Sequence, residues 1–251
     1  MERKIIVVTA AFGAEFVRQA GGQQNLIPII AQSGADGIEI RRELLSLDVN
    51  EELGILQQQI DEHNLFAYYS VPEYLFTAAG VINPRLAQFQ HEASLLNARA
   101  IKFALGAGAG AGQCSRQQLA AQLSSCTVPL LIENDQTPTG KIQPMWDFFS
   151  HSYPLAPVQG MTFDMANWLW VDESPLAAAE LLADVVSYCH VKAAHRTDSR
   201  WQAVSLDQSD GEWRTLLTMM PAGVPLGIEF PLEGDDLTSI VHYYVGLLRA
   251  A

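Results

Sequence analysis

The feature that most constrains this chain is an alternation that never breaks: short apolar runs, each followed by a segment of helical spacing or composition, from Ile5 to Arg249. Eight runs recur at fairly even intervals, at Ile5–Thr9, Gly37–Ile40, Phe66–Val71, Ala100–Leu105, Pro129–Glu133, Gly160–Asp164, Tyr188–Lys192 and Pro225–Phe230. The helical segments that follow them are Asn25–Gln32, Glu51–His63, Pro84–Leu96, Ser115–Leu123, Pro144–His151, Pro175–Val185, Gly211–Met220 and Asp235–Arg249. Asn50, Asn83, Ser115 and Ser174 read as helix caps, with Pro84 and Pro175 just inside. Buried parallel strands look like such runs, and right-handed strand–helix crossovers cover their sheet with helices. Eight units can close the sheet, and 251 residues give about 31 per unit, the size of one strand plus one helix. The expected fold is α/β, a single (β/α)8 TIM barrel over residues 1–251, because no composition shift or Pro/Gly/Ser-rich linker marks a boundary.

Composition fits a buried core, with 49% apolar and only 17% charged residues. Twenty-eight acidic against 15 basic residues give a net charge of −13, which repels a phosphate backbone and argues against nucleic acid as a partner. A local basic pocket could still hold one phosphate. Cys114, Cys126 and Cys189 cannot all pair and have no Cys-x-x-Cys spacing, so a disulfide framework or zinc knuckle is not indicated, and a cytoplasmic location is expected. Arg3, Lys4 and the run Ile5 to Ala11 imitate a secretory leader, but the run is short and β-branched and serves as a first strand. No stretch approaches membrane-spanning length, and no membrane partner is expected.

A barrel strand points alternate residues at the helices and at the interior. With Ile38 and Ile40 facing the helices, Glu39 and Arg41 face inward. Ile101 and Phe103 leave Lys102 inside, Ile132 leaves Glu133, and Phe163 leaves Asp164. Val191 separates His190 from Lys192, and Ile228 and Phe230 flank Glu229. Six strands thus aim ionisable groups into a closed interior, which is costly unless those charges are paired, hydrated or bound to a cation. Most lie near the C-terminal ends of their strands, where barrels of this type carry their chemistry.

Glu133, Asp164, His190 and Glu229 end the fifth to eighth strands, so ring closure makes them neighbours. Three carboxylates and an imidazole make a hard, oxygen-rich site suited to one Mn²⁺ or Mg²⁺, with Co²⁺ or Zn²⁺ able to compete. A cation there would polarise a sugar carbonyl and stabilise the enediolate left by deprotonation, with Glu133 and Glu229 available as base and acid. Taken singly, each carboxylate reads more readily as a cap or salt bridge, and His190 as structural. Four in consecutive strands favour the site.

The runs Ile132–Asp135 (I-E-N-D), Phe163–Asn167 (F-D-M-A-N), His190–Arg196 (H-V-K-A-A-H-R) and Gly227–Phe230 (G-I-E-F) resemble the xylose isomerase-like sugar isomerase/epimerase barrels, a superfamily that includes the family 2 apurinic endonucleases. Gly34–Ile40 (G-A-D-G-I-E-I) is also similar to the second strand of that family. The resemblance is nearest to ketose 3-epimerases and hydroxypyruvate isomerases, which place Glu, Asp, His and Glu around one divalent metal. It implies that Glu133, Asp164, His190 and Glu229 are ligands and that Glu133 and Glu229 are the acid/base pair. It also implies a substrate-binding role for Arg196, six residues after His190, which otherwise reads as a surface ion pair. Two positions depart from the epimerase pattern: Asn167 replaces a histidine and Thr139 replaces a second glutamate. Asn167 can still bind a sugar hydroxyl, whereas Thr139 leaves no carboxylate to orient Glu133.

Lys102 and Lys192, if inward, could receive a phosphate or carboxylate or offset the acidic groups; Lys192 is favoured because it follows His190 by two on one strand face. Glu39 could accept a substrate hydroxyl or pair with Arg41. Trp168 and Trp170 could pack over a sugar face or against a helix or neighbouring subunit. The function expected is a metal-dependent isomerase or epimerase of a small sugar, sugar phosphate or hydroxy-carbonyl compound, with the related dehydration not separated; relatives are often homo-oligomers. Two alternatives compete. Gly106 to Gly112 imitates a dinucleotide fingerprint, with Glu133 about 20 residues on, but an NAD-dependent oxidoreductase would leave Asp164, His190 and Glu229 without a role. A non-catalytic metal- or sugar-binding barrel is the other, prompted by Thr139 and Asn167. An endonuclease site needs more histidine ligands than the seventh strand supplies.

Overall fold

The computed structural model describes residues 3–45, 48–107, 116–198 and 200–251. Its barrel strands are β1 (Ile5–Val8), β2 (Gly37–Arg41), β3 (Phe66–Phe76), β4 (Ile101–Gly106), β5 (Leu130–Glu133), β6 (Val158–Asp164), β7 (Val186–Val191) and, after a hairpin of β8 (Ala193–Thr197) and β9 (Arg200–Val204), β10 (Leu226–Ile228). They close in the order β1-β10-β7-β6-β5-β4-β3-β2, every pair parallel. The fold is a (β/α)8 barrel, as the alternation predicts.

The helices are α1 (Ala14–Gln19), α2 (Ile27–Gln32), α3 (Val49–Glu62), α4 (Leu86–Leu95), α5 (Arg116–Leu123), α6 (Ile142–Ser152), α7 (Asn167–Trp170), α8 (Pro175–Leu182), α9 (Glu212–Met219) and α10 (Leu237–Arg249). Local chemistry starts them in three ways. Ser174 caps α8 by accepting from the Ala177 amide, with Pro175 at its first position, as expected. Asp48, rather than Asn50, caps α3, because its carboxylate reaches the Glu51 amide. Asn83 acts just ahead of α4, accepting from the Arg85 amide. Ser115 lies outside the described residues. Among the described residues, no helix is long and apolar enough to cross a membrane.

The predicted two faces separate cleanly. Ile5, Val7, Ile38, Ile40, Ile101, Phe103, Ile132, Phe163, Val191 and Ile228 join the large core between sheet and helices. Ile6, Tyr68, Ala100, Leu131 and Tyr188 form a second, small cluster that plugs the barrel interior. Above that plug the interior turns polar, because the next inward residues along these strands are Glu39, Ser70, Lys102, Glu133, Asp164 and His190.

Candidate active site

Parallel register sets the site. Asp164 pairs with His190 across β6 and β7, and His190 pairs with Gly227 across β7 and β10. Gly227 leaves room for the imidazole: a Cβ there would meet the Tyr188 hydroxyl and lie 2.8 Å from His190 Cδ2. The Tyr188 ring packs edge-on beneath His190, centroids 4.9 Å apart.

Glu133, Asp164, His190 and Glu229 converge, each offering one ligand atom within 4.8 Å of all the others. His190 Nδ1 is 2.8 Å from Glu133 Oε1, 3.1 Å from Glu229 Oε2 and 4.0 Å from Asp164 Oδ2. Yet buried Nδ1 and Glu133 Oε1 have no hydrogen-bond partner of proper geometry. Polar atoms that crowd together without bonding one another are what a shared cation satisfies. Three carboxylate oxygens and an imidazole nitrogen fit a hard divalent ion.

The other ring nitrogen is engaged behind the quartet. Nε2 donates to Glu39 Oε2 at 2.8 Å, and Glu39 is fully buried. A carboxylate behind a histidine fixes its orientation and tautomer, as it does in metal sites. Burial raises the Glu39 carboxyl, but His190, Lys102 and Arg41 outweigh it and leave its pKa at about 2. Burial lowers the His190 pKa, but Glu39, Glu229 and Glu133 carry it well above its ordinary value. A divalent cation held there would satisfy the same carboxylates with release of that proton.

Three basic side chains neutralise the rest. Lys102 Nζ donates to Glu133 Oε2 at 2.6 Å and lies 3.3 Å from Glu39 Oε1, buried under the site. Arg41 Nη1 donates to Glu229 Oε1 at 2.8 Å, and its Nη2 lies 2.7 Å from Glu43. Lys192 Nζ reaches Asp164 Oδ2 and Glu229 Oε2, each at 3.3 Å, and Asn167 Oδ1 at 3.2 Å. Burial raises the Glu133 and Glu229 carboxyls, but Lys102 for the first and Lys192 for the second, each aided by His190, hold them below the ordinary range. Asp164 is the exception: burial, with Glu229 and Glu133 nearby, pushes it up to about 7 against Lys192.

The backbone around Asp164 is held tightly. Its Oδ1 accepts from the Ala166 and Asn167 amides at 2.9 and 2.8 Å, which starts the short turn α7. Asn134 clamps β5 to β6: its Oδ1 accepts from the Asp164 amide at 2.9 Å and its Nδ2 donates to the Asp164 carbonyl at 3.0 Å.

The structure therefore brings nine inward residues together: Glu39, Arg41, Lys102, Glu133, Asp164, Asn167, His190, Lys192 and Glu229. Several have side-chain partners that local sequence does not show. Glu39 pairs with His190 and Lys102 rather than with Arg41, and lies below the ligand tier. Lys102 is spent on Glu133 and Glu39, and so orients Glu133 where Thr139 cannot. Asn167 uses Oδ1 for Lys192 and Gln136 and Nδ2 for the Asn134 carbonyl, so it positions neighbours. Arg196 is not brought into the cluster; it is exposed on β8, its guanidinium 5.7 Å from the Trp201 ring centre. Trp168 is fully buried against Phe163, and Trp170 lies 6.0 Å from Lys192 Nζ. Of the Gly-Ala run, Gly106 ends β4 and the stretch 108–115 lies outside the described residues. Arg41 and Gln136 face the cleft beside the quartet, and sequence reasoning assigned neither a substrate role. Arg41 was legible as an inward residue, whereas nothing local marks Gln136.

Neither a protein-family profile nor a curated protein matches the sequence. Solved structures do match in three dimensions. A D-allulose 3-epimerase from Methylomonas sp., in complex with D-allulose, superimposes with a TM-score of 0.68 at 13% identity, covering 99% of this chain and 97% of that one. The fold is that of the xylose isomerase-like barrels. A probable 3-DHS dehydratase from Bacillus anthracis shares that barrel (TM-score 0.65, 13% identity, 98% of each chain). So does a putative sugar phosphate isomerase/epimerase from Anabaena variabilis (TM-score 0.63, 14% identity, 100% of this chain and 98% of that one). Within a xylose isomerase-like barrel, the mouth at the strand C-termini is where this quartet lies.

Proposed function

We propose that the protein is a divalent-metal-dependent isomerase or epimerase of a small ketose, its phosphate or a related hydroxy-carbonyl compound, acting by proton transfer next to a carbonyl. The observation that carries this reading is the convergence of Glu133, Asp164, His190 and Glu229 at the barrel mouth, with two buried ligand atoms that lack a hydrogen bond of proper geometry. The 3-epimerase and isomerase/epimerase names among the structural neighbours support it.

Those four side chains would hold one Mn²⁺ or Mg²⁺, with Co²⁺ or Zn²⁺ as competitors, and the ion would polarise the substrate carbonyl and acidify the neighbouring C–H. Glu133 and Glu229 come from strands three places apart around the ring, and both line the cleft. One takes the α-proton and the other returns a proton. Return to the opposite face gives an epimer, and return to the adjacent carbon gives an isomer. Lys102 keeps Glu133 ionised, and Lys192 keeps Glu229 ionised, each aided by His190, so either carboxylate is ready to accept. Dehydration begins with the same proton removal, and a dehydratase stands among the neighbours.

The test is proton exchange. Protein with Mn²⁺ in deuterated water, given a panel of ketoses, ketose phosphates and short hydroxy-carbonyl acids, should place deuterium beside a carbonyl, read by NMR. Glu229→Gln should keep the fold and lower exchange at least about 100-fold. Full exchange in that variant would remove Glu229 from the acid/base role. No label from any compound would leave a barrel that binds without turnover.

A further inference from the structure

Two clefts reach Glu229 from different sides, and both are lined by the same pair of cations. One, of about 350 Å³, carries Arg41 and Lys192 with Ser70, Glu133, Gln136 and Asn167. The other, of about 320 Å³, sets Arg41 and Lys192 against Gly13, Ala203 and Pro231. A molecule that approaches the quartet by either cleft passes beside a guanidinium and an ammonium.

Their charges are balanced now by the quartet and, for Arg41, by Glu43 as well. Glu133 has Lys102, Asp164 has Lys192, and Glu229 has both Lys192 and Arg41. The three Lys192 contacts, at 3.2 to 3.3 Å, are all long for charge-assisted bonds. If the carboxylates gave their lone pairs to a dication, Lys192 would share both of its counter-ions, Asp164 and Glu229, with the ion, whereas Arg41 would keep Glu43. Lys102, buried beneath, still has Glu39. A neutral polyol would leave the Lys192 ammonium with only shared counter-ions in a partly dehydrated cleft, whereas an anionic group would pair with it directly, beside the Arg41 guanidinium. Of the other acids at the two clefts, Glu73 is paired with Arg85 and Asn83, Asp135 accepts from Thr137, and Glu233 lines only the second cleft.

We infer that the substrate carries an anionic group, a carboxylate or a phosphate, which Arg41 and Lys192 receive beside the reacting carbonyl. This rests on the reading of the quartet as a metal-dependent proton-transfer site. It gives the two lysines separate roles, with Lys102 structural and Lys192, the one the sequence favours, facing substrate.

Two measurements test it. In the first, deuterium exchange is compared for a neutral ketose, its terminal phosphate and the matching keto acid. At least one anionic compound should exceed the neutral one tenfold in kcat/KM. Lys192→Met and Arg41→Met should each cut that preference at least fivefold, with KM carrying more of the change than kcat. In the second, calorimetry on Mn²⁺-loaded wild-type protein compares an alditol, its phosphate and the aldonate, none of which can react. The phosphate or the aldonate should bind at least tenfold more tightly than the alditol, and which of them does so identifies the anion. A neutral ketose that matches both anionic compounds, or a preference unchanged in both variants, overturns the inference. If nothing exchanges, the proton-transfer reading fails, and the calorimetry still decides for or against an anion site: equal binding of all three compounds rejects it.

Discussion

Gly227 shows how one missing side chain seats a ligand. Any Cβ at that position meets Tyr188 and His190, which have no space to move because Tyr188 is packed into the interior plug. Gly227→Ala should leave the barrel intact by circular dichroism but weaken Mn²⁺ binding at least about tenfold by calorimetry, since His190 Nδ1 must swing off the common point. Unchanged affinity would mean that the imidazole is not held by this contact. Glu39 acts on the same ring from the other side. Glu39→Gln keeps an acceptor for Nε2 but removes the charge, and metal affinity should fall about 10- to 100-fold. Glu39 itself was legible in the sequence as an inward carboxylate, but not its partner: residues 39 and 190 are brought together only by ring closure.

At the scale of elements, β3, α4 and the turn after β2 meet at one carboxylate. Glu92 on α4, 2% exposed, accepts from Arg42 Nε and Nη2 at 2.7 and 2.9 Å and from the Tyr69 hydroxyl on β3 at 2.7 Å. Glu92→Gln should cost about 2 kcal/mol in urea unfolding at pH 7, because two buried donors lose a charged acceptor. Burial raises the Glu92 carboxyl, but Arg42, Tyr69 and Gln88 together hold it below its ordinary 4.5. A depressed carboxylate contributes its stability above the unfolded value and loses it as pH falls through the folded one. The gap between wild type and variant should therefore close in acid below pH 4.5; a gap of constant size would remove the charge from the explanation. Elements that form from their own sequence were legible, whereas α7 and the β8–β9 hairpin were not. The turn α7 starts because Asp164 accepts the Ala166 and Asn167 amides, and the hairpin runs from Ala193 to Val204 through half-exposed polar residues that carry no apolar alternation.

For the whole molecule, a cation held by four strands at once should tie the closing half of the barrel together. At a free Mn²⁺ concentration about 100 times its Kd, linkage adds about 2.7 kcal/mol. In a chain of this size that should raise Tm by about 5 to 10 °C in a thermal scan, reversed by EDTA. No shift with Mn²⁺, Mg²⁺, Co²⁺ or Zn²⁺ would argue against a metal site. The sequence by itself determined the eight strand–helix units and which side of each strand faces inward, because period-two alternation and apolar runs are written locally. It also determined the ligand types, since a strand-end carboxylate or imidazole is visible without its neighbours. Only the tertiary structure decided who pairs with whom: His190 with Glu39, Lys102 with Glu133, and Lys192 with Asp164 and Glu229. Those pairs join residues up to 151 positions apart, and register and ring closure, not local spacing, set the distances on which charge pairing depends.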